Sequence, residues 1–420
     1  MRVAIVHEWL ATWGGSEKCL SRMLHAFPDA DLYALVDFLP DEYRHHILGK
    51  RARTSFIQKL PKARTKFRSY LPLMPMAVEQ FDLTPYDLVL TNSHAVAKGA
   101  LTGPNQLHIA YVHSPIRYAW DLQAQYLSEA KLTKGFGSFI ARAILHYVRM
   151  WDTRTASGPD HILTNSKYIA RRVRKAYGRE AAVIYPPVEV ERFVPSGRSD
   201  GYYLTASRLV PYKRIPLIAE AFRRLPHAKL VVIGDGPEME KLRAVAGANV
   251  SVLGYQPDAV FLDHMQRCDA FIYAAEEDFG IVPVEAQACG KPVIAYGRGG
   301  ALETIKGLDQ GEPTGLFFWE QTAEAIKGSV AKFEELRSAD PALFSPEDCR
   351  ANALRFGTER FDKEFRAFID DAIDGFEGWS GKAAEELHAA LAAMPYAKEP
   401  LVSSADAVPP RAVAKPSILP

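Results

Sequence analysis

Short apolar runs rich in Val, Ile, Leu and Tyr alternate along this chain with longer stretches whose apolar residues recur every three or four positions. The first pattern reads as buried strands and the second as amphipathic helices. In the first half the runs predict strands at Val3–His7, Leu32–Val36, Leu88–Thr91, His108–Val112, Ile162–Asn165 and Val183–Tyr185. In the second half they predict Tyr203–Ala206, Leu230–Ile233, Val250–Leu253, Ala270–Ala274, Val293–Tyr296 and Gly315–Phe318. Helical spacing between them, as in Leu20, Met23 and Leu24 or Ile218, Ala221, Phe222 and Leu225, argues for an α/β fold of parallel sheets wound by crossover helices. The stretch beginning at Pro186-Pro187, with further prolines and few apolar residues, breaks the alternation. Residues 1–186 therefore read as a first domain, 187–199 as a linker and 200–355 as a second domain. A helix at Phe361–Phe376, within 356–378, follows, and the Ala-, Pro- and Ser-rich tail 379–420 reads as disordered.

A chain of 420 residues can bury two cores of ordinary size. Its 51 basic and 50 acidic residues nearly balance, so no overall field points to nucleic acid. The four cysteines, Cys19, Cys268, Cys289 and Cys349, are scattered without a Cys-x-x-Cys pair, which argues against a disulfide framework or zinc site and fits a reducing cytoplasm. The N-terminus runs directly into a strand, with no signal-peptide pattern, and no segment approaches the ~20 apolar residues a spanning helix needs. The expectation is a cytoplasmic protein, soluble or peripheral on the inner face of a membrane.

Chemistry concentrates where strands end. Glu277 and Glu285 lie eight positions apart, the first after the strand at Ala270–Ala274 and the second inside a helix whose start Pro283 suits. Between them Gly280 permits a sharp turn, and free N–H groups at a helix start favour an anion such as a diphosphate. Ser207-Arg208-Leu209-Val210-Pro211-Tyr212-Lys213-Arg214 supplies cations after another strand, Arg208 for bidentate contact and Lys213 as a mobile charge. Taken singly, the first loop reads equally as two unrelated acids, and the second reads more readily as a solvated basic loop. Gly14 and Gly15 open the first helix, His113 ends a strand before Ser114-Pro115, and Ser166 suits an N-cap. No Gly-x-Gly-x-x-Gly follows the first strand, which weakens a nicotinamide-binding alternative.

Together, Gly14-Gly15-Ser16-Glu17, His113-Ser-Pro115, Arg208 with Lys213, Gly234-Asp-Gly-Pro237 and the Glu277/Glu285 pair resemble a retaining nucleotide-sugar glycosyltransferase of family 4, over roughly residues 1–375. Details such as His113-Ser-Pro-Ile-Arg-Tyr-Ala-Trp-Asp121 and Val210-Pro-Tyr-Lys-Arg214 resemble bacterial enzymes that use GDP-mannose to build O-antigen and exopolysaccharide. The resemblance implies a GT-B fold, in which two Rossmann-like domains face a cleft and the C-terminal helix crosses back to the first. It implies His113, Arg208, Lys213 and Glu277 as catalytic residues. It places the donor against Gly14, Gly15, Gly234, Gly236, Tyr255, Phe279, Gly280, Ile281, Val282 and Glu285, the last accepting ribose hydroxyls. Arg117, Tyr118, Trp120 and Asp121 would shape the acceptor side. The acceptor would be a glycan or lipid-linked glycan, with no cofactor and no metal: there is no Asp-x-Asp at a strand end, and two cations can neutralise the diphosphate. A UDP-sugar donor, or a non-catalytic nucleotide-sugar-binding subunit, remains the alternative.

A last feature concerns the membrane. From Arg44 to Ala77 there is no acidic residue, while Arg44, Lys50, Arg51, Arg53, Lys59, Lys62, Arg64, Lys66 and Arg68 are basic. Apolar Tyr70-Leu-Pro-Leu-Met-Pro-Met76 follows, and the combination predicts docking of this segment on an anionic bilayer surface.

Overall fold

A computed structural model describes residues 1–376 together with Ala389. The tail expected to be disordered otherwise lies outside the described residues.

The first sheet holds seven parallel strands: β1 (Val3–His7), β2 (Asp31–Ala34), β3 (Arg53–Thr54), β4 (Leu88–Ser93), β5 (Leu107–Val112), β6 (His161–Thr164) and β7 (Ala182–Val183), in the order β3-β2-β1-β4-β5-β6-β7. The second holds six: β8 (Tyr203–Ala206), β9 (Leu230–Ile233), β10 (Val250–Gly254), β11 (Ala270–Tyr273), β12 (Val293–Tyr296) and β13 (Gly315–Phe318), in the order β10-β9-β8-β11-β12-β13. Both sheets are doubly wound. The central strands are covered on both faces, which is why their runs are continuously apolar rather than alternating. Ile5 and Leu90 face one core of the first sheet, and Ala4, Val6 and Val89 the other.

In each sheet the winding reverses once, between β1 and β4 and between β8 and β11. Crossover loops leave in opposite directions at such a point and open a crevice beyond the strand ends. The register sets His7 beside Asn92 at the first reversal and Leu204 beside Phe271 at the second. The two crevices face each other.

The helix Thr358–Asp374 buries Phe361, Phe365, Ile369, Ala372 and Ile373, at helical spacing, in the first sheet's core beside Ile5, Leu20 and Tyr111. Arg22 donates to Asp362 at 2.8 Å and fixes its register. The chain thus crosses back to the domain it began with. The proline-rich connection is anchored too, since Val188, Val190 and Phe193 are buried against the second sheet. Among the described residues no helix is long and apolar enough to cross a membrane.

Candidate active site

Beyond β11 the chain turns at Gly280 into the helix Ile281–Ala288. The helix starts two residues before Pro283, so the proline occupies its third position, where an N–H would also lack an intrahelical partner. Glu277 is held by Lys213 Nζ at 2.6 Å and by the Tyr273 hydroxyl. Burial alone would raise its pKa, but Lys213 and Tyr273 outweigh burial and hold it below the usual carboxylate value. Its neighbour Asp278 pairs across the cleft with Arg117 and, at 3.6 Å, with Arg172; burial nevertheless dominates and raises its pKa. Glu285 is buried and faces Lys18 of the first domain at 3.6 Å. Its pKa is raised by burial, which Lys18 offsets only in part.

Arg208 leaves β8 exposed and has no carboxylate partner among the described residues. The loop carrying it is shaped by glycines rather than by its own residues. A Cβ on Gly234 (φ 139°) would sit 1.8 Å from the Ser207 carbonyl oxygen, and one on Gly236 2.5 Å from that of Leu209. These glycines, expected at the donor, therefore serve first to let two loops touch. Tyr255 is 74% exposed at the end of β10, and its hydroxyl lies within electrostatic reach of Tyr43 in the first domain. Phe279 requires a correction. Its ring is buried in the core between Tyr185 (5.8 Å) and Phe356 (5.3 Å), which leaves only backbone for a ligand.

On the facing side, a Cβ on Gly15 would lie 2.9 Å from Ile281 Cδ1, so the glycine pair meets the second domain's helix start directly. Behind it His113 Nε2 lies 2.6 Å from Asn92 Oδ1, while Asn92 Nδ2 lies 2.8 Å from the Ser16 carbonyl and 3.1 Å from His7 Nδ1. A carbonyl can only accept, so the Asn92 amide has one orientation. It follows that His113 carries its proton on Nε2 and keeps a lone pair on Nδ1. His7 accepts at Nδ1 and donates from Nε2 to Glu17 at 3.4 Å. Burial, then His94 and His7, hold the His113 pKa well below the ordinary value, so the ring is neutral.

Two sequence profiles match the chain: one described as Glycosyltransferase Family 4 over residues 13–192, the other as Glycosyl transferases group 1 over 191–354. The chain belongs to the family 4 glycosyltransferases. A GDP-mannose-dependent alpha-(1-6)-phosphatidylinositol monomannoside mannosyltransferase of Mycolicibacterium smegmatis is 30% identical over 204 residues, 40% of this chain and 52% of that protein. A monoacylated-substrate counterpart from Corynebacterium glutamicum is 33% identical over 171 residues, 33% of this chain and 45% of the relative. The chain thus spans about half the length of the curated relatives it matches. Anabaena HepE, solved with UDP, superposes with a TM-score of 0.65 at 18% identity, covering 88% of this chain and 100% of its own. Sucrose-phosphate synthase from Thermosynechococcus elongatus gives 0.65 at 17%, covering 93% and 100%. At such identities they establish the fold, which is GT-B.

In this glycosyltransferase the cleft also gathers residues that motif reading assigned elsewhere or passed over. Arg68, expected on a membrane surface, instead stands over Phe67 (4.6 Å) and Trp9 (5.6 Å); partial burial and then Arg208 of the opposite domain lower its pKa. Part of the basic segment before it is likewise paired within the domain, while Lys59, Lys62, Arg64 and Lys66 stay exposed. Arg44 is buried against Asp37 at 2.7 Å, Arg53 bonds Tyr33 at 3.0 Å, and Lys50 donates to the Ala30 carbonyl at 2.9 Å. Met74 and Pro75 are buried. Trp13 stacks on His46 at 4.4 Å and lies parallel to Tyr43 at 6.4 Å. Of the residues after His113, Arg117 reaches Asp278, whereas Trp120 donates inward to buried Asp152 at 2.7 Å. Ser166 caps its helix through the Ile169 N–H at 3.1 Å. Among the described residues no three His, Cys, Asp or Glu groups come together as a metal ligand set.

Proposed function

We propose that this glycosyltransferase moves mannose from GDP-mannose to a lipid-linked or polysaccharide acceptor, with retention at the anomeric carbon. The observation that carries the reading is the Lys213–Glu277 pair, 2.6 Å apart, beside a helix start that Gly15 of the other domain touches. A diphosphate seated there meets Lys213, Arg208 and the N–H groups of Ile281 and Val282, and Arg68 adds a further cation from the facing domain. Preorganised charge of this kind is worth most as the leaving group's charge grows. Glu277 orients Lys213, and Glu285 accepts from the ribose once Lys18 yields. Trp13, Tyr43 and Tyr255 supply aromatic faces for the base. Neutral His113 accepts a hydrogen bond from a sugar hydroxyl at Nδ1. The bond from anomeric carbon to phosphate oxygen breaks, the acceptor oxygen bonds on the same face, and its proton passes to the departing phosphate.

The donor assignment is supported by relatives named for GDP-mannose dependence. Thermal stabilisation by a panel of nucleotide sugars tests it, because a ligand that prefers the folded state raises the melting point. GDP-mannose should stabilise more than UDP-glucose. Equal or greater stabilisation by UDP-glucose would remove the donor assignment.

A further inference from the structure

The helix Phe136–Thr155 has two apolar faces. One, with Leu145 and Val148, is buried in the first domain. The other is uncovered among the described residues. Phe136 is 78% exposed, Phe139 69%, Ile140 42%, Tyr147 43% and Met150 54%. At 100° per residue these five positions fall within an arc of about 100°, opposite the packed face. A stripe of large apolar groups along two-thirds of a helix about 30 Å long is more than the scattered apolar exposure of an ordinary surface.

Charge decides what covers it. From Ala130 to Trp151 the chain has no acidic residue, while Lys131, Lys134 and Arg142 are exposed around the stripe. A second copy of this face would set like charges against each other. An anionic bilayer meets them with opposite charge and accepts the aromatic and aliphatic groups at its interfacial depth. We infer that this helix lies in the plane of an anionic membrane and docks the first domain there. The docking face is this stripe rather than the basic segment before Arg68, three of whose four arginines pair with Asp37, Asp41 and Asp31.

The placement suits the cleft. The helix carries Arg149, which bonds Gln123 at 3.1 Å on the helix Gln123–Glu129. That short helix contributes Gln125 and Tyr126 to a cavity of about 50 Å³ that Arg117, Arg172 and Asp278 also line. A bilayer on this helix would bring a lipid-linked acceptor to the domain that carries Arg117 and Tyr126. The function given to docking rests on the acceptor reading above, but its test uses no turnover.

The test is cosedimentation of the full chain with phosphatidylcholine vesicles, with and without phosphatidylglycerol. Binding should require the anionic lipid, fall with salt, and drop at least about tenfold in a Phe136→Ser, Phe139→Ser, Ile140→Ser variant. Lys134→Glu with Arg142→Glu should weaken it, whereas Lys62, Arg64 and Lys66 changed to Ser should leave it within about twofold. Unchanged binding by the triple variant, or loss only with the Lys62 set, overturns the proposal. A second measurement needs no destabilising change. All four native cysteines are buried, so a polarity-sensitive dye attached through Phe139→Cys reports that site alone. Its emission should shift to the blue with anionic vesicles, and no shift overturns the proposal. So does a wild-type dimer that the triple variant converts to monomer without any vesicle binding, which would make the face an interface between copies. A failed GDP-mannose stabilisation would sink the donor reading and leave these results standing.

Discussion

Asn92→Leu removes the side chain that orients His113 while nearly conserving volume. Three hydrogen bonds go with it, to His113 Nε2 at 2.6 Å, the Ser16 carbonyl at 2.8 Å and His7 Nδ1 at 3.1 Å. Asn92 is itself fully buried, so water cannot readily replace it. Leaving a buried partner unpaired costs about 1–3 kcal/mol, so three partners give about 3–9 kcal/mol, less whatever a histidine recovers by changing tautomer. That is a large share of the roughly 5–15 kcal/mol by which a domain is ordinarily stable. Urea titration of the full chain measures it, with Thr91→Val as the comparison, since that change breaks one bond, to His108 at 3.1 Å, and should cost about 1 kcal/mol. A second variant separates orientation from stability. Asn92→Asp keeps the shape but sets a carboxylate against His113, which should raise its pKa, protonate Nδ1 and remove the acceptor, giving the donor KM a new acidic limb. The reasoning fails if Asn92→Leu lies within about 1 kcal/mol of wild type and leaves the donor KM unchanged.

Glu285→Gln should weaken nucleotide binding by about 1.5–3 kcal/mol through loss of a charge-assisted bond, seen by calorimetric titration with GDP. Lys213→Ala should instead lower kcat at saturating donor by about 10²–10³, a split that steady-state kinetics resolves. Stability should also fall with acid. Burial depresses the pKa of His94 and His113 and brings His108 to about 3, so below about 6.5 the unfolded chain binds protons that the folded chain refuses. Each contributes a slope of up to about 1.4 kcal/mol per pH unit, stability being present above their unfolded values and lost as pH falls toward the folded ones. The raised carboxyls Asp278 and Glu285 oppose this but are outnumbered. A melting temperature that is flat from pH 7 to 5 would contradict it. Turnover should persist in EDTA, and its full loss, restored by magnesium or manganese, would reveal a ligand set the cations do not replace.

The strands were legible because a parallel sheet buried on both faces demands unbroken apolar runs, as Leu88–Ser93 and Val293–Tyr296 show. The short edge strand Arg53–Thr54 was not, since a polar pair carries no such signal. Gly15, Lys213, Glu277 and Glu285 were marked by the family resemblance on loops that follow strands, and the fold gathers those loops around one cleft. Asn92, Lys18 and Arg68 had no motif to announce them. An asparagine closing a strand at Leu88–Ser93, or an arginine in an acid-free segment, acquires meaning only from what it faces.

Local pattern therefore determined the class of fold and the loops where chemistry could gather, since these follow from periodicity and from the preferences of single residues. Tertiary structure alone decided which side chains meet. It turned Arg68 toward Arg208, folded Phe279 into a core, set the proton of His113 through Asn92, and left the stripe from Phe136 to Met150 uncovered. Such outcomes depend on distances between segments far apart in the chain. No window of neighbouring residues contains them.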